Sequence, residues 1–261
     1  MKHRIQILLI TFSFATTLYA QQREDKNLGQ FFKGAKGTFV MYDVEHRTTT
    51  YFNKKQSKKR ISPCSTFKIL NSLIGLEAGV IPDENFVIKW DSTKYNRPEW
   101  NQDHTLRSAI QNSVVWYYRE LARRVGDERM KNFMSKVRYG NGDISGGLDK
   151  FWLESSLAIS ANEQMEFLLQ LYNNQLPFSQ RSIDIVKNIL ILPSDSSLVF
   201  RGKTGSGVIG EHHTLGWFVG YVERDKNAYI FAVNIESDSV PVDGKRAREI
   251  AENILKSKSI L

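Results

Sequence analysis

The chain has 261 residues, of which 41% are hydrophobic and 25% charged, with a formal net charge of +8 and a single cysteine. Those values fit one globular domain with a sizeable core. The lone Cys64 excludes an intrachain disulfide, and the dispersed basic excess, without interleaved aromatic residues, argues against nucleic-acid binding.

Residues 1–20 read as a secretory signal peptide. Lys2, His3 and Arg4 form a positive start, an apolar stretch runs from Ile5 to Leu18, and Leu18-Tyr19-Ala20 offers a cleavage position before Gln21. The expected mature protein is exported, periplasmic or secreted, with no membrane attachment after cleavage. No cysteine near that position supplies a lipid anchor. Cleavage removes Lys2 and Arg4 and no acid, lowering the charge from +8 to +6.

Gly37–Asp43 and Thr48–Phe52 read as two strands joined by a short polar turn. The densest basic run, Lys54, Lys55, Lys58, Lys59 and Arg60, reads as a solvated turn or strand end, with contact to an anionic cell-wall surface as the alternative. A helix is expected over Ser65–Ala78, entered through Pro63 and stopped at Gly79, with Cys64 as a small buried residue at its entry. Residues 80–190 read as mostly helical, including Arg107–Val125 and Asn162–Asn173. Leu198–Thr204, Leu215–Glu223 and Ala228–Ile235 follow as strands, the last two joined by a turn at 224–227. Arg246–Lys256 closes the chain as an amphipathic helix. There are no internal repeats. The expected fold is α/β, of α+β type: an antiparallel sheet formed from both chain ends, flanked by helices, with a mostly helical inserted lobe. A single catalytic domain would span 21–261, with a sheet lobe about 24–78 and 195–261 and a helical lobe about 80–190.

Ser65 and Lys68 form the only Ser-x-x-Lys in the chain. At a helix start that spacing sets a hydroxyl and an amine one above the other, one turn apart. A hydroxyl needs a neighbouring base to become a nucleophile, and a desolvated lysine is such a base. Ser113 supplies a second hydroxyl able to bridge proton transfer. In Lys203-Thr204-Gly205 the lysine brings positive charge, the threonine a hydroxyl for a substrate carboxylate, and the glycine close backbone approach. The backbone N–H groups of Ser65 and Ser206 are the expected oxyanion donors. Taken singly, each of these residues is an ordinary helix or strand side chain; only together do they spell acyl transfer. Two other patterns carry less. Gly202-Lys203-Thr204 resembles the tail of a phosphate loop, but Ser197 stands where that motif needs glycine. His212-His213 beside Glu211 lacks metal-ligand spacing, so no metal is expected.

These motifs resemble those of the class D serine β-lactamases, the oxacillinase type. The resemblance rests on Ser65-Thr66-Phe67-Lys68, Ser113-Val114-Val115, Tyr139-Gly140-Asn141, Phe151-Trp152-Leu153-Glu154-Ser155-Ser156-Leu157 and Lys203-Thr204-Gly205, in that order. Trp100-Asn101-Gln102 and Gly216-Trp217-Phe218-Val219-Gly220-Tyr221 fit as well, and the likeness covers roughly residues 30–257. It implies hydrolysis of β-lactam antibiotics through a serine acyl-enzyme, hence antibiotic resistance. It also implies carboxylation of Lys68 by carbon dioxide or bicarbonate, giving N6-carboxylysine as general base, with no other cofactor. Trp152 matches the residue whose indole N–H holds the carbamate. Val115 stands where related enzymes carry asparagine, and an apolar residue there suits a drier lysine pocket. Tyr139 and Arg248 are implied on the substrate side, with Arg248 after Asp243-Gly244 matched to the arginine that holds the substrate carboxylate and Arg201 as the weaker alternative.

Small-molecule β-lactams are the expected partners, acting on a monomer or homodimer. The rivals are a β-lactam sensor domain that stays acylated and a cell-wall transpeptidase or carboxypeptidase. Sensors follow several membrane spans, and transpeptidases carry Ser-x-Asn at the second motif.

Overall fold

The structure, a computed structural model, describes residues 21–261; the signal-peptide expectation for 1–20 lies outside them. The chain begins with β1 (Gln21–Glu24), a short α1 (Gly29–Phe32), β2 (Lys36–Asp43) and β3 (Thr48–Phe52). Residues Cys64–Phe67 form a 3-10 turn that runs into α2 (Lys68–Glu77). The middle holds the small strands β4 (Val87–Ile88) and β5 (His104–Thr105), then α3 (Leu106–Gln111), α4 (Val115–Val125) and α5 (Asp127–Val137). It continues with α6 (Ala161–Tyr172) and α7 (Gln180–Ile189). The chain ends with β6 (Ile191–Leu192), β7 (Leu198–Ile209), β8 (His213–Arg224), β9 (Asn227–Ser237) and α8 (Gly244–Ser257).

Seven strands form one sheet in the order β1-β3-β2-β9-β8-β7-β6. The β2 strand, from the start of the chain, pairs with β9 from its end, Phe39 opposite Val233, so both termini complete the sheet. The sheet is antiparallel except at one edge, where β1 runs parallel to β3. The expected antiparallel pairing holds from β3 across to β6, and β1 adds one parallel pairing at the edge.

Alternation along β8 separates two cores. Trp217, Val219 and Tyr221 join one, while Phe218 and Val222 join the other, because successive side chains of a strand face opposite ways. The second core is closed by α8 through Ala247, Ile250, Ala251, Ile254 and Leu255. Its 3.6-residue apolar stripe follows Asp243, whose side chain accepts the Arg246 N–H at 2.9 Å and caps the helix. The first core takes Phe167, Leu168 and Leu171 of α6, a helix opened by a Ser160–Glu163 capping box. Burying each such aliphatic or aromatic side chain contributes about 1.5–3 kcal/mol.

Three boundaries differ from the sequence reading, and each bears on the site. The expected helix over 107–125 is broken at Asn112-Ser113-Val114, where Ser113 takes a left-handed φ of 54°. Strand β7 runs on through Gly205, Ser206 and Gly207 to Ile209 instead of ending at Thr204. Helix α2, expected within the sheet lobe, packs on α4 and α7 and so belongs with the helices.

Candidate active site

The site lies where the Cys64–Phe67 turn, the α3–α4 break and strand β7 meet. Cys64 holds φ at 48°, a conformation L-residues seldom adopt, and this sharp entry sets Ser65 at the head of α2. The turn is fixed from several sides. The Thr66 hydroxyl donates to the Pro63 carbonyl at 2.8 Å, and the Gln164 amide donates to Thr66 Oγ1 at 2.7 Å. The Trp217 indole donates to the Ser62 carbonyl at 2.9 Å. The Ser62 hydroxyl reaches the Trp152 carbonyl at 3.0 Å, tying the 151–157 loop to the same turn.

Lys68 Nζ lies 2.6 Å from Ser65 Oγ, 3.2 Å from Ser113 Oγ and 3.1 Å from the Ser113 carbonyl. From the other side, Lys203 Nζ donates to Ser113 Oγ at 3.0 Å and to the Thr204 carbonyl at 2.9 Å. Ser113 therefore bridges two lysines, and the helix break is what turns its hydroxyl and carbonyl toward them. Lys68 is fully buried, with Nζ 5.5 Å from the Tyr118 ring centroid. Burial disfavours the ammonium, and the Lys203 charge adds to it, so the Lys68 pKa falls well below that of an ordinary lysine. Burial, with a smaller contribution from Arg97, lowers Lys203 to about 7. The Cys64 thiol is pushed up to about 12 by burial, which leaves it inert and fits its reading as a small core residue.

Ser65, Ser113, Val115, Thr204 and Ser206 line one open pocket of about 130 Å³ together with Arg97 and Trp100. Gly205 lets β7 approach the nucleophile turn, because a Cβ there would stand 3.0 Å from the Pro63 carbonyl oxygen and 3.2 Å from Thr66 Cγ2. A Cβ on Gly207 would meet Cys64 Sγ at 2.6 Å.

The structure places Val115 on this pocket, at the first position of α4. Trp152 is fully buried, stacked on Phe67 at 5.3 Å, and its indole N–H has no acceptor among the described residues. Arg248 borders a neighbouring cavity beside Lys203, Thr204 and Phe218, and its Nε donates to Glu252 at 2.6 Å. Tyr139 is a correction. It is buried away from the pocket, its hydroxyl donates to Gln164 at 3.2 Å, and its ring meets Phe67 edge-on at 5.8 Å. It packs beneath the nucleophile turn and does not line the Ser65 pocket.

Three residues near the site escaped the sequence reading. Arg97 precedes Pro98 and reads as an ordinary loop cation; Ser62 and Gln164 act only through contacts made across the fold. His212 and His213 diverge as expected for neighbours. His212 is exposed beside Glu211, whereas His213 sits between Glu236 and Asp238.

Comparison with known proteins agrees with this geometry. The family model described as the penicillin-binding protein transpeptidase domain matches residues 16–256. A probable β-lactamase, YbxI of Bacillus subtilis, is 40% identical over 235 residues, covering 90% of this chain and 85% of its own. The solved class D β-lactamase BAT-2 superposes with a TM-score of 0.85 at 41% identity, over 90% of this chain and 96% of that one. The chain belongs to the class D serine β-lactamases. It is a hydrolase of β-lactam antibiotics. The fold is also shared with a receptor: the C-terminal domain of the Bacillus licheniformis BlaR penicillin-receptor gives a TM-score of 0.88 at 36% identity, over 94% of this chain and 99% of that domain.

Proposed function

We propose that this β-lactamase works through an acyl-enzyme on Ser65 and that Lys68 is its carboxylated base. The observation that carries the reading is the 2.6 Å approach of a fully buried Lys68 Nζ to Ser65 Oγ. The residues present fit a carbamate. Burial disfavours the Lys68 ammonium and so favours the neutral amine that adds carbon dioxide, and the buried Trp152 N–H, against Phe67, offers a donor without an acceptor among the described residues. Once formed, the carbamate supplies a carboxylate-like base for acylation and deacylation.

The side chains divide the remaining work. Ser65 Oγ gives up its proton toward Lys68 and bonds to the lactam carbonyl carbon. The Ser65 and Ser206 N–H groups face the developing oxyanion. As the C–N bond breaks, Ser113 relays a proton from Lys203 to the lactam nitrogen along the 3.0 Å contact. Thr204 holds the substrate carboxylate, with Arg248 adjoining it. Water then hydrolyses the Ser65 ester and restores the hydroxyl. The signal-like residues 1–20 support export to the periplasm or the medium.

A chromogenic cephalosporin in excess, followed past one equivalent with and without bicarbonate, tests this reading. Many turnovers accelerated by bicarbonate are expected. A burst that stops near one equivalent would assign the chain to the acylated sensors instead.

A further inference from the structure

Arg97 is the unexplained charge of the active site. It lines the Ser65 pocket, yet among the described residues its guanidinium makes no ion pair and no hydrogen bond. The guanidinium carbon lies 5.2 Å from the Trp100 ring centroid, in cation–π contact. That platform is rigid. Trp100 Nε1 donates to the Asn112 carbonyl at 3.0 Å, next to Ser113, and the Trp116 indole donates to the Trp100 carbonyl at 2.8 Å. The loop is closed by Asn101, which accepts the Tyr95 N–H at 2.8 Å and donates to the Tyr95 carbonyl at 3.0 Å. Arg97 is thus a permanent cation on a fixed rim, and no acid lines the pocket to neutralise it.

Substrate geometry says what that cation faces. The lactam carbonyl carbon at Ser65 is bonded to the leaving nitrogen on one side and to the carbon bearing the acyl side chain on the other. The nitrogen must face Ser113 and Lys203 to be protonated, and the carboxylate beside it falls toward Thr204 and Arg248 on the β7 side. Arg97 and Trp100, contributed by the helical lobe, line the same pocket and offer a surface for the acyl side chain. We propose that Arg97 and Trp100 form a subsite for an anionic acyl side chain, so that the enzyme favours β-lactams carrying a second carboxylate. An aromatic side chain would lie along Trp100 while the carboxylate meets the guanidinium.

The inference rests on β-lactam hydrolysis at Ser65, which wild-type turnover of benzylpenicillin checks separately. The test compares benzylpenicillin with its α-carboxylated analogue, two substrates differing in one carboxylate. Arg97→Ala should lower the ratio of kcat/KM for the dianion over the monoanion by roughly fivefold to tenfold, chiefly through KM. Arg97→Lys should keep part of the preference, Arg97→Glu should reverse it, and added salt should weaken the preference in the wild type but leave the Arg97→Ala ratio unchanged. Equal losses on both substrates in Arg97→Ala, with the ratio unchanged, would overturn the proposal and make Arg97 a holder of the shared carboxylate or a structural residue.

Discussion

At the scale of single residues, the site turns on how two lysines are kept from carrying their usual charge. Lys68 is disfavoured as an ammonium by burial first and by Lys203 second, while Lys203, also buried, falls to about 7. In the proposed mechanism, removing Lys68 takes away the base for both halves of the reaction. Lys68→Ala should therefore lose steady turnover by about three orders of magnitude or more while still binding substrate; robust turnover by that variant would refute the mechanism. Trp152→Ala removes the unpaired donor and a large core aromatic. Its activity should depend strongly on added bicarbonate, at a stability cost of about 3–5 kcal/mol. Failure of bicarbonate to restore any activity in folded Trp152→Ala would make the indole structural only. Tyr139→Phe probes the opposite case. It deletes one buried hydrogen bond to Gln164, so it should cost about 1 kcal/mol in denaturant unfolding and leave kcat within about twofold.

At the scale of elements, catalysis depends on strand β7 lying hard against the nucleophile turn. Gly205→Ala places a Cβ 3.0 Å from the Pro63 carbonyl oxygen, so the strand or the turn must shift by a few tenths of an ångström. The expected signature is a fall in kcat of about tenfold or more with a small change in Tm, since the displaced groups are the proposed oxyanion donors and not the core. A large Tm loss with kcat intact would instead place the role of Gly205 in folding. The same elements show what was legible in the sequence. Ser65-Thr66-Phe67-Lys68 and Lys203-Thr204-Gly205 could be read because their chemistry lies in local spacing. The strands β2, β3, β8 and β9 could be read from alternation and turn residues. The break between α3 and α4 could not, because Leu106–Gln111 and Val115–Val125 both carry helical patterns and nothing local dictates the left-handed Ser113. Tyr139 was misplaced for a related reason. Its Tyr-Gly-Asn pattern marks a position in the chain, while its hydroxyl and ring are committed to Gln164 and Phe67, 25 and 72 residues away and visible only after folding.

At the scale of the whole molecule, burying the two amines makes stability depend on pH. The unfolded chain keeps a proton on each lysine up to about pH 10.4, whereas folded Lys203 releases its proton near 7. Between these values the unfolded state binds more protons, so the contribution of Lys203 to stability rises as pH rises from about 7 to 10. Lys68, shifted in the same direction, adds to the effect. The gain in Tm between pH 7 and 9.5 should accordingly shrink in Lys203→Met relative to wild type. An identical pH dependence in the two proteins would mean that Lys203 is not desolvated as described. The sheet that joins both chain ends, with β2 beside β9, holds Lys203 in place from the far end of the sequence.

The most direct measurement is a carbon NMR spectrum of the folded enzyme in 13C-labelled bicarbonate. The account predicts one slowly exchanging carbamate resonance that disappears in Lys68→Ala and weakens in Trp152→Ala. An enzyme that turns over β-lactams in saturating bicarbonate yet shows no such resonance would contradict it, leaving the neutral Lys68 amine as the base.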